Sequence, residues 1–567
     1  MADVHLPDPG LLECPWVETY PPGVPVSYQI PAIGLPRFLD DAVRDFPERS
    51  ALVADDARID HATLRDRVED LAAALHLRGV DAGDRVLVVL PNLLTLPIVL
   101  LATWRLRAIA VPLEPSVSTE RLTRIVDDAR PTAIVASRRV QRSLGEQRPP
   151  VGLVVDDDRW VIAARTRRRS WWPRRRAGRT ETSAPPIERP TPGSVRLEEA
   201  VHEARQRGSQ RPVFPVPSEA PALLAYRDTD PPLGLVFTHQ HLVAATFQAR
   251  LWVPDVQAGR EIALVTESLA RLDALVVGWL AGLLAATSVV LLDAPDGDRF
   301  ARKVERERPT LMLSTSARLQ TALADGEMAK RDLTSLRVVL TCGPSPAPGS
   351  RAALSRRTGG ARARTTFRPA EAAGPTHAQP VYGLTTEQAV GPPVTDTLAA
   401  VVDPDALGTV QPVGTPGRLL VRGPQVATDV WGGRRDPHLV DGWGVTDHIG
   451  TVDEHGAFTP IGRLGEVERL GESWVAPARI EAALEAHAAV RRAGVVVDHD
   501  AGLVRAAVVC RRRPRPTPDE LVAHCEAHLD PSTVPADIHL VDNLPEDESG
   551  GIERDELRER LVGKDTT

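Results

Sequence analysis

The chain has 567 residues, 42% of them hydrophobic and 25% charged, with a formal net charge of -8. That length exceeds what one hydrophobic core supports and suits a large domain with subdomains plus a smaller one, while the mild acidity argues against nucleic-acid binding. Cys14, Cys342, Cys510 and Cys525 show neither CxxC pairing nor metal-ligand spacing, and MADVHLPDPG has no basic or apolar leader segment, so a cytoplasmic protein without structural zinc is expected.

Residues 51 to 135 alternate helix-like stripes (Leu64, Val68, Leu71, Ala74, Leu75) with the strand-like runs VLVVL, AIAVPL and TAIVA, the α/β signature. The alternation then stops. A basic, proline-rich insertion occupies about 155 to 220, and its segment Arg165 to Arg179 reads RTRRRSWWPRRRAGR. Arginines around Trp171 and Trp172 suit peripheral docking on an anionic membrane; the alternative is a solvated charged loop. Further on, Ala274 to Leu292 holds 19 residues without a charge. A membrane span is one reading of that length. The other, favoured by the surrounding βα alternation, is a buried helix to about Ala286, a break at Thr287 and Ser288, and a strand in VVLL. Asp441 to Glu481 reads as a strand, a tight hairpin at Asp453 to Gly456, a joint at Gly462, and a helix with an apolar stripe through Ile480, Ala483, Leu484 and Ala488.

Seven segments in order carry a resemblance: DRVLVVLPN, AIAVPLEP, FTHQHL, VYGLTTE, LLVRGPQV (Leu419 to Val426), GWGVTDHIG with its following IGR, and LPEDESGGIERDELRE. Together they resemble the AMP-forming acyl-CoA synthetase superfamily, and WVETYPPGVP (Trp16 to Pro25) resembles its long-chain fatty acid branch. The resemblance implies an α/β protein with a large multi-subdomain amino-terminal domain, its sheets sandwiched by helices, over 1 to 462. A small mobile α/β domain over 463 to 567 follows. It also implies a fatty acyl substrate, ATP-Mg and CoA as cofactors, and two steps: carboxylate plus ATP gives acyl-AMP and pyrophosphate, then CoA takes the acyl group.

Residue by residue, the resemblance assigns cofactor binding to Thr229, Gly343, Tyr382, Gly383, Thr385, Thr446, Asp447 and His448. Glu387 is the candidate magnesium ligand and, with Arg463, the candidate catalytic group. Departures recur at the same motifs. Between Tyr226 and Thr238 the chain reads RDTDPPLGLVF, two residues shorter than the family's Thr-, Ser- and Gly-rich phosphate loop, with Thr229 its only hydroxyl and Leu233 or Gly234 in the lysine slot. Glu387 stands one residue late relative to the metal-binding glutamate of YGxTE. Asp447 stands one residue early, and His448 takes the slot of the ribose-binding aspartate. Gly551 replaces the lysine that stabilises charge on the reacting carboxylate. Lysine occurs only at 303, 330 and 564. Had arginine merely replaced lysine by composition, the charge would survive at Leu233 and Gly551, and it does not. The expectation is a chain of fatty-acid-activating ancestry with impaired adenylation. The alternatives are an active ligase with a rebuilt site and a non-catalytic acyl- or nucleotide-binding protein.

Overall fold

The computed structural model describes residues 6–162, 194–209, 214–293, 297–324, 331–343, 348–383, 385–386, 388–471, 473–511, 515–546 and 552–562. The basic segment 165–179, Glu387 and Gly551 lie outside them.

Two eight-stranded sheets form most of the large domain. In one, parallel strands at Arg85–Val89, Ile109–Leu113, Ala133–Ala136, Val151–Val154 and Ser194–Arg196 continue into Pro221–Arg227, against which Leu233–Thr238 runs antiparallel. In the other, Arg362–Phe367, Val338–Cys342, Leu311–Thr315, Ile262–Val265, Ser288–Leu291 and Ser50–Ala54 run parallel between short antiparallel edges. Their inner faces, Leu52, Val265 and Leu291 from one and Val86, Val88 and Leu223 from the other, join a single core with the helices between them. Thr95–Arg105 shows why those helices are apolar all round: Thr95 to Trp104 are all buried, as a helix packed between two sheets must be. Its one polar ring atom, Trp104 Nε1, donates to Ala222 O at 2.8 Å, and the Trp104 ring stacks on Trp279.

The uncharged run resolves into this architecture. Ala274–Leu280 is a π-helical turn, Ala281–Leu284 is α-helical, and Ser288–Leu291 is a buried central strand. Among the described residues no helix is long and apolar enough to cross a membrane.

A third, antiparallel sheet carries Leu398–Asp403, Gly417–Arg422, Trp443–Val452 and Phe458–Arg463. The hairpin forms at Asp453 to Gly456: the Asp453 carboxylate accepts the His455 and Ala457 amides at 2.9 and 2.8 Å, and Gly456 takes φ +75° with Trp16 packed on it. Gly462, expected as a joint, is instead a strand residue without positive φ. A Cβ there would meet Val467 Cγ1 at 2.4 Å. Its smallness admits Val467 to an apolar seam with Ile449 and Ala476.

The small carboxy-terminal domain is a three-stranded sheet of Val490–Asp498, Leu503–Cys510 and Asp537–Val541. Strand alternation sends Val495 and Val497 to one face, under Ile480, Leu484 and Leu521, and Val496 to the other, under Leu557 and Leu561. Arg554 pins the last helix to the first through Glu481 at 2.7 Å.

Candidate functional site

In parallel α/β sheets, ligands gather at the carboxyl ends of the strands. Here Thr315, Cys342, Gly343 and Phe367 mark that end of the second sheet. After Phe367 the chain turns and runs back along its own strand: Phe367 pairs with His377 and Thr366 with Ala378, Gln379 accepts the Thr365 amide, and Arg364 Nε donates to Pro380 O at 2.5 Å. This return carries Val381 and Tyr382 to the opposite end of the sheet, where they pack with Val338 and Leu311 at the strand starts.

Tyr382, expected as a cofactor residue together with Gly383 and Thr385, therefore lies away from the strand end that carries Phe367. Tyr382 donates its phenol hydroxyl to Asp255 and lies under the Arg362 guanidinium, 4.9 Å from its ring centre. The string VYGLTTE copies the motif's letters without its place in the fold.

A second segment with the spacing of YGxTE, an aromatic with glutamate four residues on, stands at the carboxyl end of that strand: Phe367-Arg368-Pro369-Ala370-Glu371. Sequence reading missed it because glycine and threonine are both replaced. The available signal was the strand RARTTF ending in an aromatic ring. Glu371 is 1% exposed. Gly444 makes room for it, since a Cβ there would meet Glu371 Cβ at 3.0 Å.

Glu371 is ion-paired with Arg227, the last residue of Pro221–Arg227, and Arg227 Nη1 also reaches Asp436 at 3.3 Å. All three side chains are buried. Burial pulls the Arg227 pKa below the usual arginine range, against the opposing pull of Asp436 and Asp447, and the charge of Arg463 lowers it further. Arg418 holds Asp447 at 3.2 Å, and His438 Nδ1 stands 3.5 Å from Asp447 and 3.9 Å from Glu371. Three arginines and three carboxylates thus converge, and their formal charges cancel.

The other expected residues divide sharply. Thr446 is fully buried; its hydroxyl donates to Leu419 O at 2.8 Å and accepts the His448 amide at 3.1 Å, so it fixes the strand. Half-buried His448 packs on Phe367, ring centres 4.8 Å apart, opposite Arg463 in the register. Burial first, and then the Arg463 charge, push its pKa down to about 4. Arg463 is exposed at the strand end. Gly343 closes the strand Val338–Cys342 on the site's side of the sheet.

Thr229 does not face this cleft with a free hydroxyl. The turn between the strands is only the five residues Asp228 to Pro232. Thr229 Oγ1 donates back to Pro231 O at 2.9 Å. Asp228 and Asp230 are held by Arg121 at 2.8 Å and Arg124 at 2.6 Å, from the outer helix Thr119–Ala129. His239 is buried and accepts the Leu35 amide at 3.3 Å, a structural role. The residues present do not fit ATP-Mg: the buried carboxylate is already paired, and the turn presents proline and aspartate where amides and hydroxyls are needed.

On the other side of Phe367, Arg368 Nε donates to the Asp273 carboxylate at 3.2 Å. Burial raises the Cys342 pKa to about 12, which keeps that thiol neutral. Within the second sheet's packing lies an apolar cavity of about 50 Å³, lined by Val253, Val265, Val277, Leu313 and Leu340. A cavity of roughly 150 Å³ is what holds a benzene ring, so this one is too small for an acyl chain.

Comparison with known proteins matches these features to one family. The AMP-binding enzyme family profile matches residues 39–431, and that of the AMP-binding enzyme C-terminal domain matches 479–550. A long-chain-fatty-acid–CoA ligase of Bacillus subtilis is 24% identical over 97% of this chain and 98% of its own, and that of Yersinia pestis 26% over 98% and 100%. Among solved structures, an anthranilate CoA ligase in complex with anthranoyl-AMP superposes with a TM-score of 0.74 at 19% identity, covering 96% of this chain and 99% of that one. O-succinylbenzoate coenzyme A synthetase of Bacillus subtilis, in complex with AMP, gives 0.72 at 18%, covering 92% and 98%. The chain belongs to the AMP-binding enzyme family, the adenylate-forming acyl-CoA synthetases.

Proposed function

We propose that this protein is an acyl-CoA synthetase of fatty-acid-activating ancestry that no longer adenylates a carboxylate efficiently. The observation that carries the reading is the turn Asp228 to Pro232. It is short, its acids are neutralised by Arg121 and Arg124, and its one hydroxyl is bonded within the turn. Pro231 and Pro232 bring no backbone amide to a triphosphate and the turn has no second hydroxyl to offer one, and removing even one preorganised donor typically costs ~10²–10³ in rate. The absence of lysine at Leu233 and Gly551 points the same way. On this reading residues up to 462 form the nucleotide-site domain, and 463 onward the small domain that would move over it.

A pyrophosphate-exchange assay with a panel of fatty acids tests the proposal, with exchange at background as the expected result. Robust exchange with any acid would instead establish an active ligase, in which Asp447 and Arg463 are the groups still facing the cleft. Gly551→Lys alone is expected to leave acyl-AMP formation undetectable, because positioning of the triphosphate must come first. Activity is expected to return only when Arg227 to Leu233 is also replaced by a Thr-, Gly- and Lys-containing loop of the family's length.

A further inference from the structure

Arg227, Glu371 and Asp436 are the most deeply buried charged group of the cleft, with side chains 8%, 1% and 1% exposed. Two carboxylates out of water repel each other unless a cation stands between them. The chain supplies that cation itself. Arg227 ends a strand of the first sheet, Glu371 follows the last parallel strand of the second, and Asp436 lies in the segment leading to the third. One guanidinium therefore joins all three sheets at one point. Its backbone is held as well, because Arg227 O accepts from Arg121 Nη2 at 2.8 Å. Asp436 is fixed from its own side: its Oδ1 accepts the His438 amide at 2.9 Å, leaving Oδ2 for Arg227.

The glutamate of the family's YGxTE motif is a magnesium ligand, and Glu371 has its spacing and its place at the strand end. With Arg227 seated between Glu371 and Asp436, neither carboxylate is open to a metal. Among the described residues no group of three or more His, Cys, Asp or Glu side chains is placed to hold a metal ion. We propose that Arg227 is the built-in cation of this cleft, doing at Glu371 and Asp436 the work of a divalent ion and excluding the ion from the site. Removing it leaves two buried carboxylates without a cation between them, the hard oxygen chemistry that Mg²⁺ or Mn²⁺ takes with water completing its shell. The inference concerns metal alone and does not depend on whether the protein adenylates anything, so the exchange assay above and the titration below fail independently.

The test titrates Mn²⁺ alone into the full-length chain, reading free Mn²⁺ by electron paramagnetic resonance and stability by thermal melting. In the natural protein, Mn²⁺ is expected to leave the melting temperature unmoved, with no binding component that disappears in Glu371→Gln. Arg227→Gln keeps most of the side-chain volume without the charge. It is expected to melt lower, to recover on adding Mn²⁺, and to bind Mn²⁺ at least tenfold more tightly than the natural protein. Arg227→Lys restores the cation and is expected to show no Mn²⁺ response. The double variant Arg227→Gln with Glu371→Gln is expected to lose the response gained by the single one. Binding by the natural protein that Glu371→Gln abolishes overturns the proposal. So does an Arg227→Gln protein that gains no Mn²⁺ response, or that stays unfolded even when Mn²⁺ supplies the missing charge.

Discussion

Gly391 takes φ +95°, and a Cβ built there would stand 2.2 Å from the carbonyl oxygen of Ala378. Backbone blocks the position, so no side-chain rotation relieves it. The residue bridges Phe458 of the third sheet, next to the edge strand of the second, which ties the hairpin of the site to the sheet whose end it covers. Gly391→Ala is expected to cost about 2 to 4 kcal/mol, combining left-handed strain with backbone displacement, and urea denaturation measures it. Arg124→Ala is the opposite case. Its pairs with Asp230 and Glu120 are exposed to solvent, and exposed pairs contribute roughly 0 to 1 kcal/mol. Its loss is expected to leave stability unmoved by the same measurement, although it unpins the turn beside the cleft.

At the scale of an element, the proposed function makes the hairpin Pro221–Arg227 and Leu233–Thr238 the determinant of nucleotide affinity. A glycine-rich turn lends its amides to phosphate. This turn lends none from Pro231 and Pro232, and its acids already satisfy arginines of the neighbouring helix. ATP-Mg is therefore expected to bind with a dissociation constant of millimolar or weaker, about -4 kcal/mol or less favourable. Calorimetry returning a micromolar constant would contradict the account. The motif strings also show how an element outranks its letters. VYGLTTE has the family's spelling, but it lies on the return path from Phe367, at the wrong end of the strand. FRPAE has lost the spelling and keeps the position.

Across the whole molecule, buried histidines are among the groups that make stability fall in acid. His239 and His377 are 0% and 1% exposed, and burial lowers both from 6.5 to about 3. Their folded pKa lies below the unfolded one, so the unfolded chain gains protons first. The stability they allow is present above pH 6.5 and is lost as pH falls toward 3. Near pH 5 each is expected to remove about 1.4 kcal/mol per pH unit, roughly 2.7 together. Urea melts at pH 6 and pH 5 check the slope, and equal stability at the two would refute it. The basic segment 165–179 calls for a separate measurement. Tethering to anionic vesicles through it would weaken steeply with salt, the surface potential decaying over about 8 Å at physiological ionic strength. Deletion of the segment is expected to abolish co-sedimentation if it is the tether and to leave it unchanged if it is a solvated loop.

Periodicity and punctuation were enough to read the α/β alternation, the buried helix and strand inside Ala274 to Leu292, and the hairpin at Asp453 to Gly456, because those features follow from contacts close along the chain. The ordered motifs were enough for the family. The proline- and aspartate-bearing turn at Asp228 to Pro232 was legible as letters too. What the letters left open was partnership across distance. Arg227 meets Glu371 after 144 residues and Asp436 after 209. Nothing local marks an arginine as the future neighbour of a particular glutamate. Only the stacking of three sheets brings those charges to one point, and only burial there obliges each to find the other.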